Sequence, residues 1–297
     1  MNLTYNEFEV LTTIEREKKS LSQRKLSELT KLSLGTINKI IIDFIKNKLI
    51  DSNYLITQDG LKVLEPYRVK KAIFLAAGFG SRLVPITLNT PKPLVLVKGK
   101  KIIETLLDAC VQAEIKDITI VVGYLADQFE ILLKKYPNIK FVRNDIYNEA
   151  NNISSAYLVR NQFENAYVLE SDLYLYNPKL IRKYEYKSNF LGFKVDRTDD
   201  WCFDTKNGVI VKQKVGGENC YQMVGISYYS KEYSKQIAKD IETVFTSPGG
   251  KEKYWEQVLL DVYKKHYQIY IRECNKDDII EIDTFNELKK IDEIYNV

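Results

Sequence analysis

A chain of 297 residues, 45% hydrophobic and 28% charged, has material for roughly two cores, one small and one large. Its apolar runs fall far short of the ~18 residues of a membrane span, and its acidic, mixed start lacks the basic and apolar regions of a secretory signal, so a cytoplasmic protein is expected. Cys110, Cys202, Cys220 and Cys274 are spaced for neither zinc nor a disulfide framework and read as reduced thiols, while the one histidine, His266, reads as a solvated surface residue, which leaves acid–base work to carboxylates or lysine.

The first predicted helix covers residues 6–17, with Phe8, Val10, Leu11 and Ile14 at helical spacing. Ser22 caps a second helix carrying Leu26 and Leu29. Ser33-Leu-Gly-Thr opens a third, whose Ile37, Ile40, Ile41, Phe44 and Ile45 form a broad buried stripe ending at Asn47-Lys48. Three helices with a short turn before the third make a helix-turn-helix arrangement. Residues 49–51 and 54–57 read as two short strands of a wing, and after Gln58-Asp59-Gly60 a helix is expected from Leu61 to about Tyr67. This domain, residues 1–67, resembles the winged helix of MarR-type regulators. The resemblance implies DNA contact through Ser33, Thr36, Asn38 and Lys39 near the start of the third helix. Residues 1–70 hold 12 Lys/Arg against 9 Asp/Glu, so the phosphate attraction is small and a homodimer reading two half-sites would be needed. A protein-interaction or dimerising module is an equal alternative.

A second domain, residues 71–297, opens with Lys71-Ala-Ile-Phe-Leu-Ala-Ala-Gly, a buried strand that breaks into the glycine-rich loop Gly78-Phe-Gly-Ser-Arg. Strand and helix then alternate: strand 118–122, helix 128–135, strand 139–143, helix 154–161, strand 166–169. The pattern predicts an α/β fold, a doubly wound, mostly parallel sheet with ligands at the carboxyl ends of its strands.

The chemistry concentrates in the string LAAGFGSRLVPITLNTPKPL, from Leu75 to Leu94. Small residues at Ala76, Ala77, Gly78 and Gly80, flanked by Leu75 and Ser81, let backbone N–H groups approach a nucleotide and its phosphates. Arg82 and Lys92 supply the cations a triphosphate needs. The spacing is neither a Walker loop nor a dinucleotide fingerprint. Glu170-Ser-Asp172 follows an apolar strand, so Asp172 falls where a strand end delivers a ligand, and Glu281-Ile-Asp283 places two carboxylates on one face of a short strand. One acid from each motif, with the triphosphate completing the shell, suits Mg²⁺.

That string, followed in order by Val122-Gly-Tyr124, Tyr147-Asn-Glu-Ala-Asn-Asn-Ile-Ser-Ser-Ala-Tyr157, Glu170-Ser-Asp172, Gly225-Ile-Ser-Tyr228, Tyr254-Trp-Glu256 and Glu281-Ile-Asp283, resembles the bacterial CTP:phosphocholine cytidylyltransferases of the LicC type. These belong to the sugar-phosphate nucleotidyltransferase-like family. The resemblance spans residues 71–297 and implies a Rossmann-like nucleotidyltransferase fold that makes CDP-choline and pyrophosphate from CTP and phosphocholine. It implies Mg²⁺ on Asp172 and Asp283, Lys92 against the α-phosphate, Arg82 against the outer phosphates, and Asn152 and Ser155 beside the nucleobase. A trimethylammonium donates no hydrogen bonds, so aromatic faces and a carboxylate must hold it. Trp201, Tyr254 and Glu256 are the candidates; Trp255 reads evenly as site or core. Two alternatives stand beside this: a regulator whose transferase-like domain senses a ligand, and a sugar-1-phosphate nucleotidyltransferase using UTP or dTTP.

Overall fold

Each helix at the front of the chain is opened by a side-chain cap. Thr4 and Glu7 form the capping box of α1 (Tyr5–Glu17), and Ser22, Ser33 and Thr57 accept from backbone N–H groups at the starts of α2 (Gln23–Thr30), α3 (Leu34–Lys46) and α4 (Gln58–Leu64). In the computed structural model, which describes residues 2–296, these helices belong to one of two compact units. Phe8, Leu11, Ile14, Leu26, Ile37, Ile41 and Phe44 fill its core. Ile45, expected in the buried stripe, is 40% exposed, because it sits one residue past Phe44 and is turned off the core face, alongside the exposed Ile42. The two expected wing strands shrink to a single antiparallel bridge, Ile50 to Ile56. The carboxylate of Asp51 accepts from the N–H groups of Asn53 and Leu55, tying the segment into a tight turn in place of a longer ladder. The last helix starts at Gln58 rather than Leu61, since Thr57 provides the cap. This unit runs through Arg68 and also takes in Tyr184–Tyr186, so it is not one continuous stretch. Tyr186 donates to the carbonyl of Leu3 and stacks on Tyr67 at 5.6 Å.

The second unit comprises Val69–Lys183 and the chain from Lys187 onward. Its strands β1 (Lys71–Ala76), β2 (Asp117–Val122), β3 (Ile139–Arg143) and β4 (Ala166–Glu170) alternate with α5 (Ile102–Gln112) and α6 (Ile153–Val159). Residues 126–134 wind as a 3-10 helix where an α-helix was expected. After β5 (Leu173–Leu175) come two long strands, β6 (Asn189–Lys206) and β7 (Val209–Tyr229), then α7 (Ser234–Thr246), β8 (Tyr270–Glu273), β9 (Ile279–Glu281) and α8 (Phe285–Ile291).

Seven strands form one sheet in the order β8-β6-β7-β4-β1-β2-β3. The pairs β1–β2, β1–β4, β2–β3 and β8–β6 are parallel, while β7 runs antiparallel to β4 and β6. Alternation along β1 divides the core: Ala72 and Phe74 pack with Ile103, Leu106 and Leu107 of α5, and Ile73 packs with Ile153 and Ala156 of α6 and Ile237 and Ile241 of α7. Helices therefore cover both faces, and near-continuous apolar strands such as β2 follow from that double burial. Because β2 and β4 lie on opposite sides of β1, the loop leaving β1 opens into the crevice where such folds bind ligands.

All four cysteines are buried and unbridged. His266 is exposed, as expected, and is also anchored: its Nδ1 lies 2.7 Å from Oδ2 of the buried Asp240, and its ring stacks on Tyr263. Among the described residues no helix is long and apolar enough to cross a membrane.

Candidate active site

A cleft of about 340 Å³ opens beyond the carboxyl end of β1. Its walls include Leu75, Ala76, Ala77, Gly78, Gly80, Ser81, Arg82, Lys92, Asn152, Ser155, Asp172 and Asp283, so the structure gathers every residue read for nucleotide and metal into one place. Gly80 turns the loop with φ +68°, and a Cβ there would meet the Cβ of Lys92 at 2.9 Å. That close approach holds the lysine stem against the loop. Lys92 begins a single 3-10 turn set by Pro91 and Pro93, and only 7% of it is exposed.

The two acid motifs, far apart in sequence, meet through backbone pairing. Strand β5 pairs antiparallel with β9, setting Leu173 opposite Glu281, and the N–H of Ile282 donates to the carbonyl of Asp172. Glu287 then fixes Asp283 from the start of α8 by accepting from the N–H groups of Asp283 and Thr284. The result is a compact charge cluster. The Nζ of Lys92 lies 2.7 Å from Oδ2 of Asp172 and 2.9 Å from Oδ1 of Asp283, and the guanidinium of Arg82 lies 2.9 Å from that same Asp283 oxygen. Burial pulls the Lys92 ammonium down, but the two carboxylates outweigh it and leave its pKa above the ordinary lysine value.

Further acids back this cluster. Carboxylate oxygens of Glu170, Asp172 and Glu281 lie within 4.8 Å of one another. Burial, then Asp172 and Asp283, push Glu281 up to about 9, and burial, then the neighbouring Glu256 and Asp172, push Glu170 well above the carboxylate range. Among the described residues Oδ1 of Asp172 is buried with no hydrogen-bond partner. Hard carboxylate oxygens, one of them an orphaned acceptor, fit a Mg²⁺ ion held jointly with phosphates.

Several lining residues escaped the sequence reading. Asn144 donates to the hydroxyls of both Ser154 and Ser155, fixing the start of α6 beside the cleft, and Ser171 donates to the carbonyl of Leu75. Asparagine and serine at strand ends carry no local signal of this role. Behind the wall, Gly225 of the Gly225-Ile-Ser-Tyr228 string leaves room for Glu170, since a Cβ there would fall 2.1 Å from Glu170 Oε2.

The three acceptor candidates lie outside the walls of this cleft. Trp201 and Tyr254 meet edge to face with centroids 5.7 Å apart. Glu256 is not at an open aromatic face. It is 2% exposed and shares a hydrogen bond with Glu170, and burial pushes it up to about 7. Trp255 resolves as core, packed on Phe163 and Tyr229, while its backbone N–H donates to Oδ1 of Asn152. A second cavity of about 550 Å³ meets the first at Asp283, walled by Phe193 and Met223 on its apolar side and by Asp200 and Glu281 on its acidic side.

Similarity to known proteins points the same way. The family model described as nucleotidyl transferase matches residues 71–199. The chain is 35% identical over 228 residues to the 2-aminoethylphosphonate cytidylyltransferase of Lancefieldella rimae, covering 75% of this chain and 92% of that one. It is 34% identical over 229 residues to the choline-phosphate cytidylyltransferase of Streptococcus pneumoniae, covering 75% and 97%. The solved structure of the CTP:phosphocholine cytidylyltransferase from Streptococcus pneumoniae superposes with a TM-score of 0.71 at 32% identity, over 76% of this chain and 99% of that one. With such relatives matched along nearly their whole length, and a cleft assembled as described, the chain belongs to the nucleotidyl transferase family.

Proposed function

We propose that the protein is a Mg²⁺-dependent cytidylyltransferase that joins the CMP of CTP to a phosphate or phosphonate carrying a cationic amine, phosphocholine in the first instance. The observation that carries this reading is the convergence of Lys92 and Arg82 with Asp172 and Asp283 beside the glycine-rich loop. The acceptor's phosphoryl oxygen attacks the α-phosphorus, a new P–O bond forms, and the bond to the leaving pyrophosphate breaks. A phosphate dianion is nucleophilic at neutral pH, so the protein's work is positioning and charge neutralisation. Lys92 and Arg82 bind and orient the phosphates, and Asp172 and Asp283 would hold the metal, which when bound neutralises charge developing at the phosphates. The loop's backbone and the Asn152–Ser155 helix start frame the nucleoside. Trp201 and Tyr254, which line neither cavity, offer faces to the acceptor's cation, and Asp200 in the wall of the second cavity is the carboxylate beside them in the chain.

The test is pyrophosphate release across CTP, UTP and dTTP with phosphocholine, phosphoethanolamine, 2-aminoethylphosphonate and glucose-1-phosphate. CTP paired with an aminated acceptor should turn over fastest. Preference for glucose-1-phosphate with UTP or dTTP would replace the reading with a sugar nucleotidyltransferase, and nucleotide binding without turnover on any pair would favour a sensor.

For the front unit we propose a winged-helix-type module that binds DNA or a second copy of the chain. The exposed Asn38 and Lys39 near the start of α3 support it, although Ser33 is engaged in capping. Solution mass, together with the salt dependence of binding to DNA upstream of the protein's own coding region, separates the two. A monomer with no salt-dependent DNA binding would discard the regulatory role.

A further inference from the structure

Lys92 occupies an odd place for a phosphate-binding lysine. Its ammonium lies in the cleft wall and bridges Asp172 Oδ2 and Asp283 Oδ1, at 2.7 and 2.9 Å, and its stem is pinned against Gly80. Those two carboxylates are the ones that would hold the metal. Mg²⁺–oxygen bonds are about 2.0–2.1 Å long, so a divalent ion shared by both carboxylates, even one on Asp172 Oδ1, would stand within a few ångströms of the ammonium, and two cations that close repel. The lysine and the metal therefore compete for these acids. Arg82 adds to the barrier by claiming the same Asp283 oxygen.

We propose that Lys92 is a built-in stand-in for the metal, which keeps divalent ions out of the Asp172–Asp283 site until a nucleotide's phosphates draw the ammonium away. The nucleotide thus gives the lysine a new anionic partner and frees two carboxylates in one event. Metal and nucleotide enter together, and each tightens the other by the same factor, as reciprocity requires. The design also spares the resting protein an unneutralised pair of half-buried acids. The proposal rests on the reading of Asp172 and Asp283 as metal ligands.

Mn²⁺ binding to the full-length protein, followed by the electron-spin resonance of free Mn²⁺ with and without α,β-methylene-CTP, tests it independently of turnover. Without nucleotide, wild-type protein should bind Mn²⁺ weakly, and Lys92→Met should bind it about tenfold tighter or more, within the usual range of site-to-site couplings. Lys92→Gln, whose amide still donates to one carboxylate, should show the same gain and guards against a Met variant that folds poorly. Adding Asp283→Asn to Lys92→Met should abolish the gain. The proposal is overturned if neither Lys92 variant binds Mn²⁺ more tightly than wild type, if wild type binds as tightly without nucleotide as with it, or if the gain survives Asp283→Asn, which would put the ion on Glu170, Asp172 and Glu281 instead. No protein-dependent Mn²⁺ binding in any form, with nucleotide present, would remove the metal reading itself.

Discussion

The nucleotide end of the proposed site and its acceptor end, whose candidates lie outside the cleft walls, are built in different ways. At the nucleotide end, one unbroken string from Leu75 to Leu94 supplies the loop, Arg82 and Lys92, and two strand ends joined by backbone pairing supply Asp172 and Asp283. At the acceptor end, Trp201 comes from the β6–β7 hairpin and Tyr254 from a separate segment, and a single edge-on ring contact joins them. The first end is half-buried and charge-paired. The second is partly exposed and assembled over long range. On the proposed reading, reaction type belongs to the charge-paired end and substrate choice to the long-range one, and substitutions should sort accordingly.

The largest effect is expected at the charge-paired end. Asp172→Ala and Asp283→Ala should each lower turnover by roughly two to three orders of magnitude or more, the scale seen when a transition-state charge loses its partner, while circular dichroism stays unchanged. More than about a tenth of wild-type turnover at saturating Mg²⁺ would remove that acid from the centre.

A smaller, selective effect belongs to the long-range end. Trp201→Ala should raise the KM for phosphocholine by about 3- to 30-fold, the loss of one cation–π face, and leave the KM for CTP unchanged. Equal rises for both substrates would make Trp201 structural, and no change in either would discard the cage.

Between the ends lies the carboxyl pair Glu170–Glu256, which should show in the pH dependence of stability. Burial lifts Glu256 from 4.5 to about 7, so its favourable contribution is complete below the ordinary carboxylate value and is lost as pH rises through 7. At about 1.4 kcal/mol per pKa unit, thermal stability of the metal-free protein should decline from pH 5 to pH 8, and Glu256→Gln should flatten the decline. An unchanged slope in the variant would mean the pair carries no buried proton.

The smallest effect is expected from removing the front unit. Deleting residues 1–66 should leave kcat/KM for CTP near normal. Because Tyr184 and Tyr186 pack in that unit's core, the truncated protein should need polar residues at both positions to stay monodisperse. Loss of turnover in a folded, monodisperse truncation would draw the front unit into catalysis.

Legibility in the sequence follows the same division. The glycine-rich string is readable because its function depends on local backbone geometry, and the parallel strands are readable because double burial makes them continuously apolar. The β6–β7 hairpin is not: its stretch Lys194-Val-Asp-Arg-Thr-Asp-Asp200 has the charge of a solvated loop, yet the structure pairs it as a strand. Helix α5 went unassigned, and the 3-10 segment 126–134 shares the apolar spacing of an α-helix closely enough to be taken for one. Asp51 illustrates a different limit, since one side chain took the backbone donors that a wing would have used. At the site, Asp172 and Asp283 stand out as strand-end acids, but only tertiary pairing shows that Lys92 sits between them, that Glu256 meets the cleft through Glu170 and Asn152, and that Trp255 is core.

Phosphorus-31 NMR of the protein incubated with CTP, Mg²⁺ and an equimolar mixture of phosphocholine and 2-aminoethylphosphonate tests the central claim most directly. The account predicts pyrophosphate together with a pair of mutually coupled phosphorus resonances from the new P–O–P linkage between CMP and one of the two acceptors. Free CMP with pyrophosphate, or an unchanged CTP spectrum with either acceptor present, would contradict it.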